Sequence, residues 1–289
     1  MRFRRERVLI VGCGDVGLRV AQALNTRKLA LTSSPQRQSL LRAQAIGPLL
    51  GNLDEPKTLQ RLASVATRVV YLAPPNAAHE IDTRVRNFLH AMRKRQGPRS
   101  VVYASTSGVY GDCLGLWVAE HRSVNPQTPR ARRRVDAEDR MCWFGRSGAV
   151  RVHILRVPGI YANDREGGTP RERLLKGTPV LQAQDDVYTN HIHADDLARA
   201  VVAALWRGKH QRTTNVNDDT QMRMGEYFDW AASIYGLPKP PRIAPSQMAL
   251  TLSPMQQSFM LESRRLDNTR LKRELRLVLR YPTVDLKSK

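Results

Sequence analysis

Val8-Leu-Ile-Val-Gly-Cys-Gly-Asp-Val-Gly17 is the stretch that decides the fold. Four apolar residues in a row read as a buried strand, and Val16–Asn25 reads as the helix that follows. Between them stands Gly12-x-Gly14-x-x-Gly17, in which the glycines serve a tight turn, close backbone approach to a pyrophosphate, and close helix–strand contact. The free N–H groups at the helix start, with their partial positive charge, suit an anion. The pattern points to dinucleotide binding. The bland alternative is a plain glycine-rich turn.

Working outward, the first half alternates short apolar runs with helical stretches. Leu29–Thr32 is a second strand, and Pro35 opens a helix running to about Ala45. Pro48–Leu50 reads as a short third strand, and Glu55–Ala66 as a helix with Leu59, Leu62 and Ala63 on one face. Arg68–Ala73 is a strand, Ala78–Arg95 a long helix, and Ser100–Ser105 a strand. Strands separated by helices in this way make βαβ units and a parallel sheet. After about residue 165 the pattern loosens. A loop runs from Asn163 to Pro170, and Pro238–Pro245 carries four prolines. Between them, Asp195–Arg207 is an apolar-faced helix able to rejoin the first layer. Arg264–Leu279 reads as an amphipathic helix, with Leu266, Leu271, Leu275 and Leu279 among basic residues.

The expectation is therefore an α/β fold: a Rossmann-type doubly wound parallel sheet with a small C-terminal substrate lobe. Residues 1–165 form the dinucleotide-binding part, with 189–216 returning to it. Residues 166–188 and 217–289 form the lobe.

Charge raises a second question. The 289 residues carry 47 Lys+Arg against 26 Asp+Glu, a net charge of 47 − 26 = +21, so a polyanion partner has to be considered. Only nine of the basic residues are Lys, and an Arg bias of that kind arises from base composition as readily as from function. The clusters Arg93-Lys-Arg95 and Arg130–Arg134 and the basic tail are spread along the chain. No helix-turn-helix, zinc-finger or RNA-binding aromatic signature accompanies them, so no specific nucleic-acid partner is expected. Cys13, Cys113 and Cys142 are odd in number and stand at no metal-ligand spacing, which suits a reducing compartment. The basic start Met1-Arg-Phe-Arg-Arg-Glu-Arg7 resembles a signal-peptide n-region, but Gly12, Gly14 and Asp15 break the apolar run at once. No run approaches the length of a membrane span. A cytoplasmic location and a small-molecule substrate are expected. Homodimer formation is left open.

The end of the second strand bears on the choice of dinucleotide. An acid there would hold a ribose 2′-hydroxyl. This chain has Thr32-Ser-Ser-Pro-Gln-Arg37 instead. Ser33 and Ser34, with the Arg37 guanidinium, suit a 2′-phosphate, so NADP is preferred over NAD.

Further motifs fall in order: Val70-Tyr-Leu-Ala-Pro-Pro75, Val101-Val-Tyr-Ala-Ser-Thr-Ser-Gly-Val-Tyr-Gly-Asp112, Ile154-Leu-Arg-Val-Pro-Gly-Ile-Tyr161 and Asn190-His-Ile-His-Ala-Asp-Asp-Leu-Ala198. Over nearly its whole length the chain resembles the extended short-chain dehydrogenase/reductases, the NAD(P)-dependent epimerase/dehydratase group. The resemblance implies a dinucleotide on Gly12, Gly14, Asp15, Val16 and Gly17. It places Asn52 and Leu53 near adenine, and Ala73, Pro74 and Pro75 beneath the ribose and pyrophosphate. Pro158, Gly159 and Ile160 would meet the nicotinamide amide, and Thr106 would bond the reacting oxygen.

One departure is decisive. The family's catalytic pair is Tyr-x-x-x-Lys, one helical turn apart, with the Tyr moving the proton and the Lys lowering its pKa and holding the ribose. Counting back from Ala137-Glu138, the Tyr position is Arg130 and the Lys position is Arg134, and Pro126–Arg140 contains no Tyr. Arg134 can still hold a ribose hydroxyl. Arg130 cannot donate a proton at neutral pH but suits a developing oxyanion. Tyr110, Tyr161 and His191 are alternative proton carriers, left unranked. A non-catalytic dinucleotide-binding protein, a redox sensor or scaffold, is the rival reading.

Other constellations read as structural. His191-x-His193 with Asp195-Asp196 has ligand-type residues, but Asp195 or Asp196 can equally cap the helix beginning there, and no metal is expected. Cys13 sits where a helix N-terminus can lower its pKa, although a small residue filling a tight turn explains it as well. Arg264 and Arg265 either face the cleft and favour an anionic substrate or lie on a solvated helix face.

Overall fold

The computed structural model describes residues 6–286, the Met255 side chain excepted. The basic start that resembles an n-region therefore lies mostly outside the described residues. Seven strands form one parallel sheet: β1 (Arg7–Val11), β2 (Arg27–Thr32), β3 (Gly47–Leu50), β4 (Arg68–Tyr71), β5 (Ser100–Thr106), β7 (Arg151–Val157) and β12 (Arg212–Asn215). The two-residue β6 (Trp117–Val118) stands apart and pairs with Arg265–Leu266. The sheet order is β12-β7-β5-β4-β1-β2-β3. It reverses direction at β1, the topological switch point where open α/β sheets place their ligands. This is the doubly wound sheet that the sequence implies.

Strand residues alternate between two cores, as period-two geometry requires. Val8, Ile10, Ala30, Val70, Val102 and Leu155 face one side, against helices α1 (Asp15–Gln22) and α6 (Ala194–Arg207). Leu9, Val11, Leu31, Val69, Tyr71 and Tyr103 face the other, against α3 (Thr83–Met92) and α4 (Pro129–Gly148). A third cluster, around Tyr161, Leu174, Met224, Tyr227 and Phe228, holds α5 (Arg171–Leu175) against α7 (Met224–Tyr235). It sits beside β8 (Gly159–Tyr161), β9 (Val180–Leu181), β10 (Tyr188–Thr189) and β11 (His191–His193).

Four elements differ from the sequence expectation. The helix after β2, α2, spans Arg37–Ala43. Pro35 belongs to a preceding turn, in which the Arg37 N–H donates to Ser34 O (3.3 Å). Pro56–Leu62 is a 3₁₀ helix rather than an α-helix, and its buried Leu59 and Leu62 lie three apart, the spacing that stacks side chains at three residues per turn. The long helix expected from Ala78 begins only at Thr83, where the Asp82 carboxylate accepts the Val85 N–H (3.0 Å). The tail is not one amphipathic helix. It is strand Arg265–Leu266 and then a short helix Thr269–Glu274, which Arg276 ends at φ +52°. Its Leu266, Leu271 and Leu275 are all buried, so the apolar pattern marked core contacts made by a bending chain. Leu271, Leu275 and Leu277 join the core beneath α6.

Candidate functional site

A cavity of about 620 Å³ opens at the carboxyl ends of β1, β2 and β4. Gly12, Gly14, Asp15, Val16, Gly17, Ser33, Ser34, Arg37, Asn52, Leu53, Ala73, Pro74 and Ile160 all line it. Pro75 does not. Pro158 lines a neighbouring cavity instead.

The loop shape follows from its glycines. Gly12 sits at φ +88°, and a Cβ there would stand 2.5 Å from Ala73 N. At Gly17 a Cβ would come within 2.9 Å of Gly12 O, whereas at Gly14 it would meet nothing within 4 Å. The outer glycines therefore serve close packing, and the middle one leaves open space at the N-terminus of α1, as a pyrophosphate cradle requires. Arg37 reaches over the loop and donates to Cys13 O (2.7 Å). Burial pushes the Cys13 thiol up to about 11, against the Arg37 charge, so no thiolate forms at neutral pH. Asp15 is occupied by Arg19 (3.2 Å) and Arg165 (3.3 Å).

The second cavity, about 460 Å³, adjoins the first, and Ile160 and Arg165 line both. Thr106 and Arg130 lie on its wall, so the structure brings these two expected residues together. The Thr106 hydroxyl accepts the Gly108 N–H (3.3 Å), which fixes its direction at the end of β5. Arg130 is exposed as a residue, yet its charged end is enclosed enough that burial, then the charge of Arg134, lowers its pKa, with Glu262 opposing. Arg134 is different. It lines neither cavity, and its Nη1 donates to Tyr103 Oη (3.0 Å) and Ala104 O (3.0 Å). These bonds fasten α4 to β5. The expected ribose contact has no counterpart in its placement.

The alternative proton carriers separate. Tyr110 is buried away from both cavities and donates to Asn215 Oδ1 (2.8 Å). Tyr161 lines the second cavity, but its hydroxyl donates to Thr283 O (3.2 Å), and burial and then the Asp218 charge push it far above the ordinary tyrosine range. His191 lines the cavity as well. Burial pushes it down to about 4, so the ring is neutral at physiological pH.

The His193 ring does not join a metal cluster. No group of three or more His, Cys, Asp or Glu able to hold a metal occurs among the described residues. Its Nδ1 instead accepts the Asp195 N–H (3.2 Å), so His193 caps α6 rather than either aspartate. Asp196, fully buried, accepts the N–H groups of Arg280 (2.8 Å) and Tyr281 (2.8 Å). Arg264 and Arg265 are not on a solvated helix. Arg264 lines the second cavity and pairs with Glu262 (2.7 Å), while the Arg265 guanidinium lies 5.2 Å from Trp117 and 4.9 Å from Tyr188.

Sequence reasoning missed Glu262, Arg173, Tyr188, Tyr227 and Phe259, all on the second cavity's wall. They come from segments with no motif, and only the third dimension gathers them.

A family model described as the NAD dependent epimerase/dehydratase family matches residues 8–217. The chain belongs to that family. Among solved structures, a functionally unknown conserved protein from Silicibacter pomeroyi is similar at 28% identity and TM-score 0.81, covering 96% of this chain and 95% of that one. A UDP-glucose 4-epimerase from Thermotoga maritima, solved with UDP-glucose, shares the fold at 17% identity and TM-score 0.76, over 95% and 94% of the two chains. A UDP-glucuronic acid 4-epimerase from Bacillus cereus, in complex with NAD, does so at 18% and 0.75, over 96% and 94%. No curated protein sequence matches the chain. No helix among the described residues is long and apolar enough to cross a membrane.

Proposed function

We propose that the chain is an atypical oxidoreductase or epimerase/dehydratase-like enzyme. It would bind NADP in preference to NAD and act on a small sugar-like or anionic substrate bearing a carbonyl or hydroxyl. The observation that carries this reading is the cleft itself: a glycine-built dinucleotide cavity opening through Ile160 and Arg165 into a second cavity that contains Thr106. The dinucleotide, when bound, supplies hydride transfer. Gly12, Gly14 and Gly17 shape its cradle, and Ser33, Ser34 and Arg37 receive the 2′-phosphate. Support for NADP comes from the lining: Asp15 is the one carboxylate on that cavity among the described residues, and it lies on the phosphate loop rather than at the end of β2. Thr106 orients the substrate oxygen, and Arg130 stabilises negative charge developing there. The setting is cytoplasmic, without a nucleic-acid or membrane partner.

The rival reading, a dinucleotide sensor or scaffold without turnover, draws support from the proton carriers. The hydroxyls of Tyr110 and Tyr161 are both engaged, and a general acid typically contributes about 10²–10⁴ in rate. Titration with NADPH and NADH, on the wild type and Arg37→Ala, tests the cofactor. Loss of a charge-assisted phosphate contact is expected to weaken NADPH by about tenfold or more and leave NADH nearly unchanged. Hydride transfer to a panel of small carbonyls then separates enzyme from sensor. Tight binding with no turnover favours the sensor, and failure to bind either dinucleotide refutes both.

A further inference from the structure

The charges around the second cavity do not balance. Arg130, Arg165, Arg173 and Arg264 line it, against the single carboxylate of Glu262. Glu262 is taken by Arg264 (2.7 Å), and Arg165 is held by Asp15 (3.3 Å) and Ile160 O (3.1 Å). Among the described residues Arg173 has no such partner. Its Nε and Nη2 are buried without a hydrogen bond, while its guanidinium lies over the Phe228 ring at 4.4 Å. Arg130 likewise forms no ion pair among the described residues, and it comes from a different helix. A buried guanidinium left without a counter-charge is costly, and proteins keep one where an anion completes it.

We infer that Arg173, with Arg130, is a docking site for an anionic group of the substrate, a carboxylate or phosphoryl oxygen cluster, beside an aromatic wall made by Tyr227, Phe228 and Phe259. This deepens the functional reading above and rests on it. A guanidinium offers parallel N–H donors that match either anion in two-point contact. Its position over the Phe228 ring restricts the side chain before the ligand arrives, which reduces the ordering cost of binding. Burial pulls the Arg173 pKa below the ordinary arginine value, with only the Tyr227 hydroxyl opposing, as expected for a cation waiting for its counter-ion. The neutral His191 ring, tilted against Tyr227 at 4.4 Å, adds no competing charge. The molecule therefore places its anion-binding residues on α4 and α5, and the end of β5 presents Thr106 to the same space.

Calorimetric titration of the full chain with malonate, inorganic phosphate and the neutral analogue malonamide tests this. The wild type should bind malonate, phosphate or both, and malonamide far more weakly. Preference for malonate identifies a carboxylate, and preference for phosphate a phosphoryl group. Arg173→Met should weaken the bound anion by about tenfold to a hundredfold, Arg173→Lys by less, and Arg130→Met by about tenfold. NADPH titrations of the same proteins report folding and the dinucleotide site separately, and should match the wild type. The inference is overturned if neither anion binds the wild type at millimolar concentration, or if Arg173→Met binds as the wild type does while still taking up NADPH. Anion binding by a wild type that ignores NADPH, weakened in Arg173→Met and less so in Arg173→Lys, would sustain the anion site and refute the dinucleotide reading.

Discussion

Glu138→Gln is the perturbation with the clearest expected magnitude. Glu138, on α4, is 5% exposed, and Arg156, on β7, is 7% exposed. Their two-point contact runs from Nε to Oε1 (3.2 Å) and from Nη2 to Oε2 (2.7 Å), and the guanidinium lies 4.6 Å from the Tyr110 ring centre. Burial works against the Arg156 charge, but the Glu138 carboxylate more than reverses this and raises its pKa above the ordinary value. A glutamine keeps the shape and removes the counter-charge. Breaking a buried pair from one side costs about 3–5 kcal/mol, and the Gln amide oxygen, still able to accept one bond, puts this variant near 3 kcal/mol. That is about a hundredfold or more in the unfolding equilibrium. Urea denaturation followed by tryptophan fluorescence measures it, alongside Arg156→Met and the paired variant Glu138→Leu/Arg156→Met. The paired apolar variant should recover most of the loss, because it leaves no uncompensated charge. A Glu138→Gln protein within about 1 kcal/mol of the wild type would refute the reasoning. So would a paired variant as unstable as the single one.

Two further predictions concern the glycine loop and acid stability. Gly12→Ala forces a side chain into φ +88° with its Cβ 2.5 Å from Ala73 N, and should cost about 2 kcal/mol or more together with dinucleotide affinity. Gly14→Ala, at φ −83° with open space beyond, should leave the urea midpoint unchanged and still weaken NADPH, the pair of titrations distinguishing packing from cradle. Stability should fall on acidification between pH 6.5 and 4, because burial holds His153 and His191 at about 4 in the folded chain, so the unfolded chain binds more protons across that window. Each histidine contributes about 3 kcal/mol of this loss. Asp218, pushed up to about 7 by burial, has the opposite slope between pH 3.8 and 7, so the net acid loss is smaller than the histidines alone would give. In His153→Gln the fall in urea midpoint from pH 7 to 4.5 should be visibly shallower, and an unaltered slope would contradict the assignment.

The sheet and the dinucleotide cavity were legible in the sequence because local signals and tertiary structure agree there. Val8–Val11, the glycine loop and Arg68–Tyr71 each combine a buried run with the turn chemistry that follows it, and neighbouring strands repeat the pattern. The tail misled for a physical reason. Leu266, Leu271, Leu275 and Leu279 mimic helical spacing, yet they are buried or partly buried by a chain that pairs with β6 and then turns at Arg276. The 3₁₀ segment at Pro56–Leu62 shows the same ambiguity at shorter range, since two leucines three apart suit either helix. Arg134 was assigned a ligand from its position in a motif, but burial and the Ala104 carbonyl claim it. The second cavity was the least legible part. Arg173, Tyr227 and Glu262 stand far apart in the chain, and no local pattern announces that they share a wall.

Arg165 and Ile160 form a partition common to both cavities, and this has a thermodynamic consequence. If both occupants draw Arg165 away from Asp15 or from Ile160 O in the same way, the movement made for one is already complete when the other arrives. The two occupancies would then be linked, and linkage is symmetric: the factor by which a dinucleotide alters the affinity for the small molecule equals the factor in the reverse direction.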